Sequence, residues 1–200
     1  MPRQQRNSPR RGIAPRRIAT REVRQRFLIV CEGERTEPNY FRAFRVPGLV
    51  VEGVARQALQ LVERAIALRS ESEYDQVWCV FDRDDVPLDQ FNEALALADR
   101  SGMHIAYSNQ AFELWYLLHF HYYNSGITRQ DYSGQLTKLL GRSYVKNSET
   151  MYDELLARQE NAIKHARNLL ATHNPIQPAQ NNPSTTVHML VEALNQHRGA

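Results

Sequence analysis

The stretch from Val77 to Asp85, Val-Trp-Cys-Val-Phe-Asp-Arg-Asp-Asp, decides the fold. Its first five residues are apolar and rich in β-branched and aromatic types, which is typical of a strand buried on both faces of a parallel sheet. Acidic residues follow this strand, at Asp82, Asp84 and Asp85. In extended chain, Asp82 and Asp84 point to the same side, with α-carbons roughly 6 to 7 Å apart. Open α/β sheets bind ligands beyond the carboxyl ends of their strands, so the pattern predicts a functional site there.

Strands and helices alternate on both sides of this stretch. Further strands are predicted at residues 26–31, 49–54 and 103–107, with a helix that Thr36 caps and helices that span 55–68 and 89–100. This order predicts parallel βαβ units and a sheet of about four strands. The later part of the chain is predicted to be helical, at residues 128–140 and 151–173 and in a last helix that Ser184 or Thr185 caps. The predicted class is therefore α/β, with mostly parallel strands flanked by helices and followed by a helical C-terminal region.

The composition is that of a globular protein, since 42% of the residues are apolar. No apolar run approaches the roughly 20 residues that span a bilayer, and the arginine-rich start does not resemble a secretory signal. We therefore expect a cytoplasmic protein without a membrane partner. The two cysteines, Cys31 and Cys79, lie in apolar strands, where a reduced thiol is more typical than a disulfide.

The charge of the chain is unevenly distributed. Residues 1–26 contain nine arginines and one glutamate, whereas the rest of the chain has 16 basic and 21 acidic side chains. We divide the chain into a basic, disordered tail at 1–25, an α/β core at 26–125 and a helical extension at 126–200 packed on the core. The tail is either a solvated extension or an arm that binds the phosphates of nucleic acid without reading sequence.

Glu32 stands at the end of the first predicted strand, as Asp82 and Asp84 do on the central one. Neighbouring parallel strands would bring the three carboxylates into one crevice. Mg²⁺, or Mn²⁺ in its place, prefers a few carboxylates together with water and phosphate oxygens, so the pattern favours a metal site that cleaves phosphodiesters. Gly33 allows a sharp turn or the close approach of a phosphate beside Glu32. The competing interpretation is that the two aspartates only cap a helix or hold a turn.

Other polar residues near these motifs are also candidates for the site. Arg35 and Arg83 can hold substrate phosphate or form ordinary ion pairs. Glu113 lies within an apolar helix and needs a partner, either the metal site or an arginine. Lys146 can stabilise charge in a transition state. Glu37 competes with Glu32, but a carboxylate near a helix start is favoured in any case.

Four stretches in order resemble the RloB family of phage-defence proteins. They are Phe-Leu-Ile-Val-Cys-Glu-Gly-Glu-Arg-Thr-Glu-Pro-Asn-Tyr-Phe from Phe27, Val-Phe-Asp-Arg-Asp from Val80, Ser-Asn-Gln-Ala-Phe-Glu-Leu-Trp-Tyr-Leu-Leu-His-Phe from Ser108 and Asn-Pro-Ser-Thr-Thr-Val-His from Asn182. The resemblance runs from about Phe27 to Leu194 and implies a Toprim-like fold with a divalent-metal site.

Carried over to this chain, the resemblance makes Glu32 the general acid or base and Asp82 and Asp84 the metal ligands. It also implies a companion ATPase of the AAA or ABC type, encoded nearby, that acts in abortive infection. Gln110 departs from the family pattern, which usually has proline there. Asn109 and Glu113, on either side of it, match the pattern and join the candidate residues.

Three functions follow from these observations. The first is a Mg²⁺-dependent nuclease that cleaves DNA or RNA as the effector of a defence system. The second is a non-catalytic module that binds nucleic acid or the ATPase and regulates it. The third, a phosphatase with Asp82 as covalent nucleophile, is weaker, because no downstream acidic pair completes such a site.

Overall fold

The computed structural model describes residues 25–126 and 128–198. In these residues a single sheet contains five strands: β1 Phe27–Cys31, β2 Leu49–Gly53, β3 Gln76–Asp82, β4 His104–Asn109 and β5 Ser184–Thr185. The strand order is β2-β1-β3-β4-β5, in which the first four strands are parallel and β5 is antiparallel to β4. The predicted parallel strands are confirmed. The predicted basic tail falls almost wholly on residues 1–24, which lie outside the described residues.

Helices cover both faces of the sheet. They are α1 Thr36–Arg42, α2 Ala58–Glu71, α3 Leu88–Arg100, α4 Glu113–Leu118, α5 Arg129–Leu140, α6 Met151–Leu155, α7 Gln159–Ala171 and α8 Val187–Asn195. One apolar cluster joins the sheet to α2 and α3, and a second joins its other face to α1 and α4 to α8. This architecture is α/β and consistent with a Toprim-like fold. In the described part of the chain, no helix has both the length and the apolar character needed to cross a bilayer.

The alternation of side chains along β3 determines where its last residue points. Trp78 and Val80 pack in the cluster on the α1 and α4 face, whereas Cys79 and Phe81 pack in the cluster on the α2 and α3 face. Successive side chains of a strand point to opposite faces. Asp82, the last residue of β3, therefore follows Val80 toward the α1 and α4 face.

The two cysteines lie in adjacent strands but on opposite faces. Both are buried free thiols, with Cys31 in the cluster on the α1 and α4 face and Cys79 in the cluster on the other. Burial raises the pKa of both thiols, that of Cys79 to about 12. The protonated form of each is therefore favoured, and buried thiols of this kind are inert.

The prediction of one continuous helix at 151–173 is wrong. A 3₁₀ turn at Leu156–Arg158 separates α6 from α7. The break has a packing reason: α6 contacts α1, whereas α7 contacts α4, α8 and β5. One straight helix could not reach both sets of neighbours.

The predicted capping residues also differ from those observed. Thr36 is the first residue of α1, and Arg35 takes the cap position, because the Thr36 hydroxyl donates to Oδ1 of Asn147 at 2.7 Å instead. Ser184 and Thr185 form β5, and α8 is preceded by Thr186. The hydroxyls of Ser184 and Thr185 bond to residues of β4, so the C-terminal region adds a strand to the sheet. Oγ1 of Thr185 also accepts a hydrogen bond from the N–H of Val187, the first residue of α8, at 3.2 Å, so Thr185 does satisfy one backbone donor at the start of this helix.

Candidate active site

A cavity of about 360 Å³ lies beyond the carboxyl ends of β1 and β3. Residues 32–37, in the turn between β1 and α1 and at the start of α1, line one side of it. Asp82 closes the end of β3, Glu113 comes from the first turn of α4, and Lys146 and Asn147 come from the loop after α5. The cavity thus gathers residues from three sequence motifs and from the C-terminal region, at the sheet edge where open α/β folds bind ligands.

The ends of β1 and β3 are joined by hydrogen bonds. The Glu32 N–H donates to the Val80 carbonyl at 2.9 Å, and the Asp82 N–H donates to Oε2 of Glu32 at 3.2 Å. The second bond aims the Glu32 carboxylate at the end of β3. The structure therefore brings Glu32 and Asp82 together, as parallel pairing of their strands requires.

Asp82 lies in a strongly acidic environment. Burial raises the pKa of its carboxyl well above the ordinary value, and the charges of Glu37, Glu113, Glu32 and Asp84 raise it further, in that order. A carboxyl in such surroundings favours its protonated form unless a cation compensates for the neighbouring charge. Carboxylate oxygens are the donors that Mg²⁺ prefers, so these side chains suit a divalent cation chemically. Within residues 25–126 and 128–198, no three His, Cys, Asp or Glu side chains are already arranged as ligands of one ion.

Glu37 belongs to this site, although the sequence interpretation left it as a helix-start residue. It is the second residue of α1, is only 7% exposed and lines the cavity. A Cβ atom on Gly33 would lie 2.1 Å from Oε2 of Glu37, so the absence of a side chain at Gly33 lets this carboxylate approach the backbone. An acid in the first turn of a helix that starts beside a strand end was the only signal for it.

Glu113 has a partner that the sequence did not indicate. The Tyr144 hydroxyl donates to Oε1 of Glu113 at 3.1 Å. Burial, followed by the nearby charge of Glu113, raises the pKa of the Tyr144 hydroxyl, which therefore stays protonated and able to donate. Glu113 is 7% exposed and lines the cavity with Asp82. Of the two partners considered, the metal site remains compatible with this position, whereas the hydrogen bond comes from a tyrosine and not from an arginine.

Asp84 does not continue the strand, so the extended geometry assumed for it and Asp82 is wrong. β3 ends at Asp82, and residues 84–86 form a bend. The bend is held by Arg83, whose Nη1 donates to the carbonyls of Asp84 and Val86 at 2.7 Å. Asp84 adds charge near Asp82 but is not among the residues that line the cavity.

Arg83 and Asn109 bind the loop before β5. Nε of Arg83 donates to the Ala179 carbonyl at 2.9 Å, and Nδ2 of Asn109 donates to the Asn181 carbonyl at 2.8 Å. Neither side chain lines the cavity. Both side chains therefore support the strand ends, and the contact with substrate phosphate or metal considered for them stays a prediction.

Arg35 and Lys146 do reach the cavity. Both are exposed and line it, Arg35 from the start of α1 and Lys146 from the loop after α5. Exposed cations beside a group of buried carboxylates are suited to hold anionic groups of a ligand at the rim. This position is compatible with the contact to substrate phosphate predicted for Arg35 and the charge stabilisation predicted for Lys146.

Together, the parallel sheet and the carboxylate-lined cavity at two adjacent strand ends define an α/β protein with an acidic site, in a fold that is consistent with the Toprim-like class. The model of the family described as RloB-like protein matches residues 27–194. The match covers most of the chain, and the chain belongs to this family. Comparisons with curated proteins and with solved structures found no match.

Proposed function

We propose that this protein is a divalent-metal-dependent nuclease that hydrolyses phosphodiester bonds of DNA or RNA. One observation carries the proposal: the half-buried carboxyl of Asp82 lies among the charges of Glu37, Glu113 and Glu32 in an open cavity. So much like charge in one place is costly unless a cation occupies it, and most folds avoid it outside functional sites.

The cation would be held by Asp82 with Glu37 and Glu113, and Asp84 would add charge from the adjacent bend. When bound, Mg²⁺ or Mn²⁺ would supply Lewis-acid stabilisation of the charge that develops on the scissile phosphate. Glu32 is oriented by the Asp82 N–H and can take or give the proton of the attacking or leaving oxygen, or help to bind a second ion.

The substrate would be positioned by the basic residues outside the carboxylate group. Arg35 and Lys146 both line the cavity and can hold phosphates next to the scissile bond. The nine arginines of residues 1–26 would add affinity for the backbone that is independent of sequence.

The biological role that we propose rests on family membership. RloB-like proteins, as the sequence resemblance implies, act in phage defence through abortive infection, together with a companion ATPase of the AAA or ABC type. On this proposal the chain is the effector and the ATPase restrains or triggers it.

Two other functions predict different results. A regulatory module that binds nucleic acid or the ATPase would use the same basic residues but would not cleave. A phosphatase would form a covalent phospho-aspartate at Asp82, and the sequence has no downstream acidic pair to complete such a site.

A cleavage assay tests the proposal. Labelled single-stranded DNA, single-stranded RNA and tRNA are incubated with Mg²⁺ or Mn²⁺, with and without the ATPase. Asp82→Asn and Glu32→Gln should each reduce cleavage at least about 100-fold, as loss of a metal ligand or of acid–base catalysis does. Asp85→Asn removes a charge from an exposed residue three positions from Asp82 and serves as the matched control. Binding of nucleic acid without cleavage by the wild type under all these conditions would favour the regulatory module.

A further inference from the structure

The loop between α5 and α6, residues 141–150, forms one wall of the cavity. It lies more than 100 positions after Thr36, which faces it from the start of α1. Three residues of this loop contact the site or line it. Tyr144 donates a hydrogen bond to Glu113, and the cavity lining includes Lys146 and Asn147. The site is therefore incomplete without a segment outside the α/β core.

The loop is fixed at the α5 side. Arg142 donates through Nη2 to both carboxylate oxygens of Glu154 at 2.6 Å. The Tyr144 N–H donates to Oγ1 of Thr137 at 3.0 Å. These bonds attach the start of the loop to the helices on either side of it.

The other end of the loop is fixed on α1. Oδ1 of Asn147 accepts a hydrogen bond from the Thr36 hydroxyl at 2.7 Å. The backbone carbonyl of Asn147 accepts another from Nδ2 of Asn39 at 3.0 Å. Asn147 has a φ of 69°, in the left-handed region that asparagine tolerates better than most residues. With both ends attached, the Tyr144 side chain between them has a defined position.

Tyr144 directs its hydroxyl to Glu113, and its ring lies against Tyr116 at 6.5 Å between centroids. We propose that Tyr144 is a positioning residue, which holds the Glu113 carboxylate toward Asp82 for binding of the divalent cation. This inference rests on the proposed function. It assigns to the C-terminal region a part in assembling the cation site.

The partner of Glu113 is a neutral tyrosine, which supports a role of Glu113 in ligand binding. An arginine or lysine beside Glu113 would cancel its charge, whereas a neutral hydroxyl orients the carboxylate and leaves the charge available to a cation. The charges of Glu113 and Asp82 also repel each other, so a hydrogen bond that holds the Glu113 carboxylate in place opposes its displacement from the site.

Isothermal titration calorimetry with Mg²⁺ tests the inference on the full chain. Tyr144→Phe removes only the hydroxyl and should weaken Mg²⁺ binding roughly tenfold, since partners that orient a metal ligand typically contribute 10- to 100-fold in affinity. Tyr122→Phe is the matched control, because Tyr122 is on the surface and does not line the cavity. Both variants should unfold at the wild-type temperature within about 2 °C, which separates lost positioning from lost folding.

A second pair of variants shows whether Tyr144 acts through Glu113. In a Glu113→Gln background, Tyr144→Phe should change affinity less than twofold, because the group to be positioned is gone. Equal affinity of Tyr144→Phe and wild type, or the same tenfold loss in the Glu113→Gln background, overturns the inference while leaving the metal site standing. No Mg²⁺ binding by wild type overturns the proposed metal site and the positioning role with it.

Discussion

The backbone N–H of Asp82 donates a hydrogen bond to the Glu32 carboxylate at 3.2 Å, although 50 positions separate the two residues. The bond joins the carboxyl ends of the two adjacent central strands and orients a second acid beside the first. It also leaves the Asp82 side chain itself to face the cavity with Glu37 and Glu113. The acidic site is thus built on the backbone of the sheet rather than on loops alone.

Replacement of Asp82 by asparagine should stabilise the protein at neutral pH in the absence of metal. The pKa of Asp82 is raised by burial and by neighbouring acids in the folded state, above its unfolded value of about 3.9. The protonated Asp82 carboxyl therefore adds to the free energy of unfolding below about pH 3.9, and this contribution is lost as the pH rises through the pKa of the folded state. Asp82→Asn should raise the free energy of unfolding at pH 7.5 by at least about 1 kcal/mol, since one pKa unit corresponds to about 1.4 kcal/mol.

Urea denaturation at pH 4 and pH 7.5 measures this effect. The gain should shrink toward pH 4, where the wild-type carboxyl is protonated as well. Asp85→Asn, which changes an exposed acid in the same turn, should alter the free energy of unfolding by less than about 0.5 kcal/mol at either pH. A destabilised Asp82→Asn variant at pH 7.5 would show that Asp82 has a compensating partner in the folded protein.

Two buried histidines should make the protein sensitive to acid. Burial lowers the pKa of His119 and of His188 to about 4, and Nδ1 of His119 donates to the Trp115 carbonyl at 2.9 Å. Their folded pKa values lie below the unfolded value of about 6.5, so the stability is present above pH 6.5 and lost as the pH falls through about 4.

Comparison of two histidine variants checks that prediction. Between pH 6.5 and 4, the free energy of unfolding should fall less steeply with falling pH in His119→Gln than in the wild type. The difference in slope should be up to about 1.4 kcal/mol per pH unit, which corresponds to the uptake of one proton. His121→Gln, at an exposed position two residues away, should leave the slope unchanged. Equal slopes for all three proteins would mean that His119 is not buried as a neutral group.

The strands were predictable because their signal is local. Five successive apolar residues in β3 and another run in β1 are buried on both faces, and each run ends beside an acid. Parallel pairing then places Glu32 near Asp82 without further information. The same local view assumed that extended chain continues through Asp84, which fails because Arg83 bonds to carbonyls further along and bends the chain.

The remaining parts of the site depend on contacts between distant segments. The two residues of β5 have no strand pattern of their own, and they pair with β4 because their hydroxyls and backbone meet Tyr107 and Ser108. The hydrogen bond between Tyr144 and Glu113 spans 31 positions and a loop with no periodicity. Residue patterns within one segment carry no information about such pairings.

Gly53 should prove important for the shape of the turn that carries Glu32 and Gly33. A Cβ atom at Gly53 would lie 2.6 Å from the Gly33 carbonyl oxygen and 2.7 Å from Cα of Glu34. Gly53→Ala must therefore displace backbone, and we expect a loss of about 1 to 3 kcal/mol in the free energy of unfolding together with weaker Mg²⁺ binding.

Gly134→Ala is the matched control for this variant. Gly134 lies in α5, and a Cβ atom there would have no neighbour within 4 Å. Because alanine is the better helix former, this substitution should stabilise the protein by up to about 1 kcal/mol and leave Mg²⁺ binding unchanged. Thermal unfolding and calorimetry on both variants measure the two effects, and wild-type stability of Gly53→Ala would contradict the close packing of this turn.

The arginine-rich N-terminal segment should contribute to nucleic-acid affinity through phosphates. Deletion of residues 2–24 removes eight arginines and should weaken binding and flatten the dependence of log K on log salt concentration. Fluorescence anisotropy with a labelled single strand at several salt concentrations measures the slope. Identical slopes with and without the segment would show that it is only a solvated extension.

The most direct test of the account is calorimetry of Mn²⁺ or Mg²⁺ binding to the wild-type chain, to Asp82→Asn and to Asp85→Asn. It requires neither the substrate nor the ATPase. We predict that the wild type and Asp85→Asn bind the cation with equal affinity and that binding is lost or weakened at least about 100-fold in Asp82→Asn. Equal binding by Asp82→Asn, or no binding by the wild type, would contradict the proposal that the acidic cavity is a metal site.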